Sequence, residues 1–215
     1  MSEPVSASDF VAAHIRQSIL NNELKPGSQI KQHKLAAELG VSHVPLREAI
    51  QKLEAEGFLT RHPRRGAFVR PLSANDVKEI FDLRIILETD ILKKSIPNLD
   101  SEQIQLAQVI CAKADQVKDI IEYGEINNQF HLALYSGINR PRQISLIKDL
   151  WKNKSRYSII LRFKGNHFER SQATHWDILK AASKGDVELA CRVLENHIST
   201  AAENILAIMK KAYKE

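Results

Sequence analysis

Apolar positions along this chain recur mostly at helical spacing, and the breaks in that recurrence divide it into segments. From Ser8 to about Asn21, "FVAAHIRQSIL" sets Phe10, Ile15, Ile19 and Leu20 on one stripe, which Pro26 and Gly27 of "LKPGSQI" terminate. A second helix is expected over about 32–39, closed by Gly40. Ser42 can cap a third, with Pro45 in the first turn, where its missing N–H costs nothing, and Gly57 as the stop. Leu46, Ile50 and Leu53 would hold that helix on its domain. The period then changes: "FLTRH" and "GAFVR" are β-like runs around "PRR", which predicts a hairpin. Helix, glycine turn, capped helix and hairpin make a winged helix-turn-helix.

After "RPLSAND" the strand signals vanish. Six helical segments follow, at about 75–94, 101–116, 118–136, 140–163, 167–184 and 186–212, broken by Pro97, Gly137, Pro141, Gly165 and Gly185. The expected fold class is mostly α: an N-terminal winged helix-turn-helix with a small β-hairpin wing over 1–70, a linker over 71–75, and a C-terminal all-α antiparallel helical bundle over 76–215.

Composition narrows the class. The 215 residues are 43% hydrophobic, enough for a real core. No apolar run approaches about 18 residues, and "MSEPVSASDF" has neither the basic nor the apolar region of a leader, so the expectation is a cytoplasmic chain with no membrane partner. Cys111 and Cys191 lie inside helical patterns and read as core thiols. Trp151, Tyr157, Phe163 and Trp176 sit at helical spacing and read as packing residues. A net charge of +5 permits a polyanionic partner. The local distribution is more informative, since Arg61, Arg64, Arg65 and Arg70 occur with no acid between Glu56 and Asp76.

A helix that follows a glycine turn can enter the DNA major groove, which makes Ser42, His43 and Arg47 the outward candidates. The hairpin tip, Arg64, Arg65 and Gly66, suits the minor groove, where glycine lets the backbone approach. The competing reading is a solvated basic surface.

In the second half, Asn127 and His131 share one helix face, and His175 and His197 lie on the apolar stripes of two further helices. Imidazoles converging from three helices suit a divalent first-row metal. The alternative is a metal-free pocket whose histidines bind an effector directly. Arg84 shares a stripe with Val77, Ile80, Leu87 and Ile91, so its guanidinium needs an anion: Glu88 one turn on, or the carboxylate of a small effector.

"LKPGSQI", "LAAELGVSHVPLREAIQKLEAEGFL" and "RRGAFV" resemble the winged-helix domain of the GntR family of bacterial transcription regulators over nearly all of 9–70. "EIFDLRIILE", "NNQFHLALY" and "THWDILKAASKGDVELACRVLENHI" resemble that family's FCD effector domain. The resemblance implies a homodimer on a pseudo-palindromic double-stranded DNA operator, released or re-gripped when a small metabolite enters the helical domain. It aligns His33, His43, Arg47, Arg65 and Gly66 with DNA-contacting positions, with His43 and His33 standing where arginine is found. It also implies a metal held by an Asp four residues before a His and by two further His, 22 residues apart. His175 and His197 reproduce that spacing, while the Asp position is Asn127. An arginine in the first helix of that domain serves ligands in the family, which points Arg84 at a small organic acid.

The expected function is therefore a ligand-responsive DNA-binding regulator, not an enzyme, with zinc, nickel or manganese as the metal. The rivals are a metal-dependent enzyme tethered to a DNA-binding domain and a constitutive DNA-binding dimer. No H-E-x-x-H, Ser-His-Asp or phosphate-loop pattern supports the first.

Overall fold

Ser6 opens the first helix, α1 (Ala7–Leu20), its hydroxyl accepting the Asp9 N–H at 3.1 Å. The computed structural model describes residues 6–117, 119–161 and 167–212, and the chain divides into two units, Met1–Ser73 and Ala74–Glu215. Helix α1 buries Val11, Ala12, Ile15 and Ile19, with Ser8 and Ser18 beside them. Phe10 is 52% exposed, which corrects the expected stripe. The face that packs on α3 (His43–Ala55) is centred on 8, 12, 15 and 19, and at about 100° per residue position 10 falls on the far side.

Helix α2 (Gln32–Leu39) stops at Gly40, whose φ of 63° is left-handed and whose N–H returns to Ala36 and Ala37. The Val41 N–H then bonds the Ala36 carbonyl at 3.1 Å, turning the chain into α3. Ser42 occupies the N-cap of α3 with extended backbone, but its side chain makes no capping hydrogen bond. Leu46, Ile50 and Leu53 of α3 are 0–1% exposed, each contributing about 1.5–3 kcal/mol of burial. Strands β1 (Leu59–His62) and β2 (Gly66–Val69) pair antiparallel, Leu59 opposite Val69 and His62 opposite Gly66. Gln29 bridges to Phe68, and Ile30 N–H bonds the Ala67 carbonyl at 2.8 Å, so the α1–α2 loop braces the wing. A single bridge has no period, and the sequence reading missed it.

The elements of the second unit are all helical among its described residues: α4 (Ala74–Ser95), a 3-10 turn at Ile96–Asn98, α5 (Ser101–Ala114), α6 (Ile120–Tyr135), α7 (Pro141–Leu161), α8 (His167–Ser183) and α9 (Val187–Ala212). Helix α4 begins at Ala74, so the last two residues of the expected 71–75 linker are helical. Asp100 starts α5 with a reciprocal capping box: Gln103 N–H donates to its carboxylate at 2.8 Å, and its own N–H donates to Gln103 Oε1 at 3.0 Å. Helix α4 packs on α7 and α9, α5 on α6 and α8, and α8 on α9. No helix among the described residues is long and apolar enough to cross a membrane. Trp151 and Tyr157 are buried and Trp176 donates to the Asp115 carboxylate, while Phe163 lies outside the described residues. Cys111 and Cys191 are both free thiols.

Gly137, just after α6, donates its N–H to Ser95 Oγ at 2.9 Å, and a Cβ there would run into the Ser95 carbonyl oxygen. Backbone cannot yield as a side-chain tip can. Gly137→Ala is expected to cost about 1–3 kcal/mol, read as a lowered midpoint in urea unfolding; an unchanged midpoint would contradict this packing.

Candidate DNA interface and metal centre

The turn between α2 and α3 and the brace under the wing bring the expected DNA-facing residues onto exposed surface. Ser42, His43, Arg47, Arg64 and Arg65 are exposed and Gly66 half-buried. Arg47, Arg64 and Gly66 line one hollow of about 280 Å³ between recognition helix and wing, together with Gln32 and His62. His33, His43 and Gly66 share a neighbouring hollow of about 490 Å³ with Lys31 and Lys34. The His33 and His43 rings meet edge to face, centroids 4.7 Å apart. At the wing tip, Arg64 has φ 61° and Gly66 φ 86°, left-handed geometry that turns the hairpin tightly. Arg65 lies over the Phe68 ring at 5.5 Å. Arg61 is tied to Glu54 at 3.1 Å, so it is less available to a phosphate than its neighbours. Gln29, Gln32, Lys31 and Lys34 also line these hollows and were missed; polar residues at helix starts and in loops carry no periodic signal.

In the second unit, His131 (α6), His175 (α8) and His197 (α9) come together, with one nitrogen of each ring within 4.8 Å of the others. Their outer partners set the tautomers. Gln172 Nε2 donates to the Cys111 carbonyl at 2.8 Å, leaving Oε1 to accept from His175 Nδ1 at 3.2 Å. Thr174 donates its hydroxyl to the Ser171 carbonyl at 2.7 Å, so its oxygen accepts from His197 Nδ1 at 2.7 Å. Tyr135 donates to Glu88 at 2.9 Å and presents its oxygen to His131 Nδ1 at 3.5 Å, the longest of the three. Gln172 thus favours the proton of His175 on Nδ1, and Tyr135 more weakly that of His131, which turns Nε2 of both rings toward the cluster as acceptors. Nε2 of His131 and of His175 are buried without a hydrogen-bond partner. Burial, then the neighbouring His175 and His197, holds His131 well below the usual histidine range. Burial, then Lys154, lowers His175 to about 3. Unprotonated His131 and His175 facing a third imidazole are what a divalent cation needs, and the set fits one.

Asn127 is buried one turn before His131, and its amide nitrogen points to Asn128 Oδ1 at 3.5 Å. It brings no charge to the centre. Arg84 is 2% exposed and donates from Nε to Glu88 Oε1 at 2.7 Å, so the partner expected one turn on is present. Glu88, fully buried, also accepts from Trp151 Nε1 at 3.0 Å and from Tyr135. The Glu88 charge adds to burial in raising the Tyr135 hydroxyl well above its usual range. Tyr135, Trp151, Gln172 and Thr174 were not singled out as site residues; only their contacts mark them.

The profile described as "Bacterial regulatory proteins, gntR family" matches residues 7–69, and that of the FCD domain matches residues 79–200. The chain belongs to the GntR family of bacterial regulators. Within that family it is 28% identical, over 89% of its length and 90% of the relative's, to the Nta operon transcriptional regulator of Aminobacter aminovorans. A GntR regulator of Rhodococcus sp. RHA1 superposes with a TM-score of 0.74 at 25% identity, covering 93% of this chain and 97% of that one. McbR of Escherichia coli shares the fold, with a TM-score of 0.76 at 24% identity over 97% and 100% of the two chains. This GntR protein is a transcriptional regulator with a winged helix-turn-helix DNA-binding domain and an FCD domain, and its relatives are regulators rather than enzymes.

Two outcomes follow. Glu88→Gln strands the buried Arg84 and should lose about 3–5 kcal/mol in chemical denaturation; a loss below about 1 kcal/mol would show the pair to be dispensable. If His43 faces a base edge, His43→Arg would put a bidentate fork toward guanine where an imidazole offers a single hydrogen bond. It should tighten binding or change base preference on duplexes selected from a random pool, and equal affinity with equal preference would remove His43 from base contact.

Proposed function

We propose that this regulator binds a pseudo-palindromic operator as a homodimer in the cytoplasm, and that a small organic acid, bound with a divalent metal in the helical domain, controls the grip. The convergence of three histidines, each with Nδ1 against an oxygen of a neighbouring side chain, carries this reading. His131, His175 and His197 would hold the metal, with the Asn127 carbonyl as a neutral fourth candidate. When bound, the metal supplies a Lewis-acidic docking point for an effector oxygen. Arg84, with Nε on Glu88, offers the rest of its fork to a carboxylate.

On the DNA side, Ser42, His43 and Arg47 would face base edges, with His33 beside them, while Arg64, Arg65 and Gly66 follow the backbone from the wing. Two recognition helices in a dimer read half-sites roughly 34 Å apart. An effector that prefers one arrangement of the helical domain shifts the population of dimers with that spacing by its difference in affinity. A replacement at the metal centre would then reach operator affinity without touching DNA.

Elemental mass spectrometry of the purified, untagged protein tests the centre. About one zinc-, nickel- or manganese-like ion per chain, lost in His131→Ala, is the expected result. Absence of metal from the wild type, after incubation with each ion and desalting, would reject the metal and leave a pocket in which Arg84 and the histidines bind the acid alone.

A further inference from the structure

Lys154 is a buried-face cation that the reading above does not use. It follows Trp151 by three residues on α7 and precedes Tyr157 by three, so it shares the inward face on which Ile147, Trp151 and Tyr157 are 0–3% exposed. Trp151 on that face donates to Glu88, and its ring lies 6.1 Å from that of His131. Among the described residues Lys154 itself makes no hydrogen bond or ion pair. Its side chain keeps some accessible surface, yet burial, helped by Arg84 and opposed by Glu88, pushes its ammonium down to about 7.

The charges around Glu88 do not balance. Glu88 is the only buried carboxylate among the described residues, and its two oxygens already accept from Arg84, Trp151 and Tyr135. Arg84 has spent only Nε on it. Asn127 and the three histidines bring no negative charge. With Lys154 protonated, two cations stand against one anion before any metal adds its own two charges, and an occupant that brings negative charge is what would keep that ammonium charged.

We infer that the effector is a small dicarboxylate, one carboxylate held by Lys154 and Arg84 and the other directed at the three-histidine centre. This rests on the effector reading above and narrows it from organic acids to dianions. A monocarboxylate would leave Lys154 or the centre unmatched. Inorganic phosphate could meet the cation pair but could not span to the histidines with a second acidic group.

Calorimetric titration of the full chain, as purified and after zinc loading, would use malonate, malate, acetate and inorganic phosphate at fixed ionic strength. Acid concentrations would be kept where bound zinc is unchanged. The expected result is malonate or malate binding at least about tenfold tighter than acetate, a preference of the size one charge-assisted hydrogen bond supplies. Lys154→Met should weaken the dicarboxylate by about tenfold or more, with Lys154→Arg recovering much of the loss. Without acid, Lys154→Met should melt no lower than wild type, because the ammonium it removes had no partner. Acetate binding as tightly as both dicarboxylates in the wild type, or a folded Lys154→Met that binds dicarboxylate like wild type, would overturn the dianion and leave the organic-acid reading standing. Preference for phosphate over every carboxylate would overturn it in favour of a phosphorylated effector. No heat and no melting shift with any of the acids would sink both readings.

Discussion

A fully buried carboxylate is tolerable only if every lone pair is answered, and Glu88 answers that demand with donors from three helices. Arg84 comes from its own helix, Tyr135 from α6 and Trp151 from α7. The arrangement ties α4 to α6 and α7 and fixes where each donor side chain can lie. It also reaches the three-histidine cluster. Because Tyr135 gives its hydrogen to Glu88, its oxygen is left for His131 Nδ1, and the opposite nitrogen of that ring faces inward.

The other two histidines are set by the same arithmetic with different parts. Gln172 and Thr174 lie three and one residues before His175 on α8, and each has spent its donor on a backbone carbonyl. Gln172 thereby links α5, through Cys111, to His175, and Thr174 links α8 to His197 on α9. Anything that draws the three rings together or apart is felt by α5, α6, α8 and α9 through single hydrogen bonds. A site wired in this way can convert the presence of a small ion or acid into a change of helix packing, which is the requirement for a regulatory domain.

The DNA-binding unit follows a simpler logic. Its apolar residues are gathered into one cluster from α1, α3 and both strands, and its cations are left on the outside. Two histidines, His33 and His43, stand on this surface. Their contact with one another, and the pairing of Arg61 with Glu54, leave Arg47, Arg64 and Arg65 as the exposed guanidinium groups between the turn and the wing tip.

Much of this was legible in the sequence because it is local. Helices, their glycine and proline stops, the hairpin and the three inward histidines all follow from residue type at period 3.6 or 2, which backbone geometry imposes wherever the chain goes. Even Lys154 was available to that reasoning: it sits on an apolar stripe just as Arg84 does. The rotation of α1 that leaves Phe10 in solvent, the bridge from Gln29 to the wing, and the unbonded hydroxyl of Ser42 were not available, since each depends on which neighbour an element meets. The same holds for the tautomers and for the imbalance of charge around Glu88. Sequence by itself determined which residues could turn inward and what chemistry they carry. Only the tertiary structure decided which of them face one another, because a hydrogen bond across helices joins residues 47 or 63 positions apart whose spacing along the chain obeys no period.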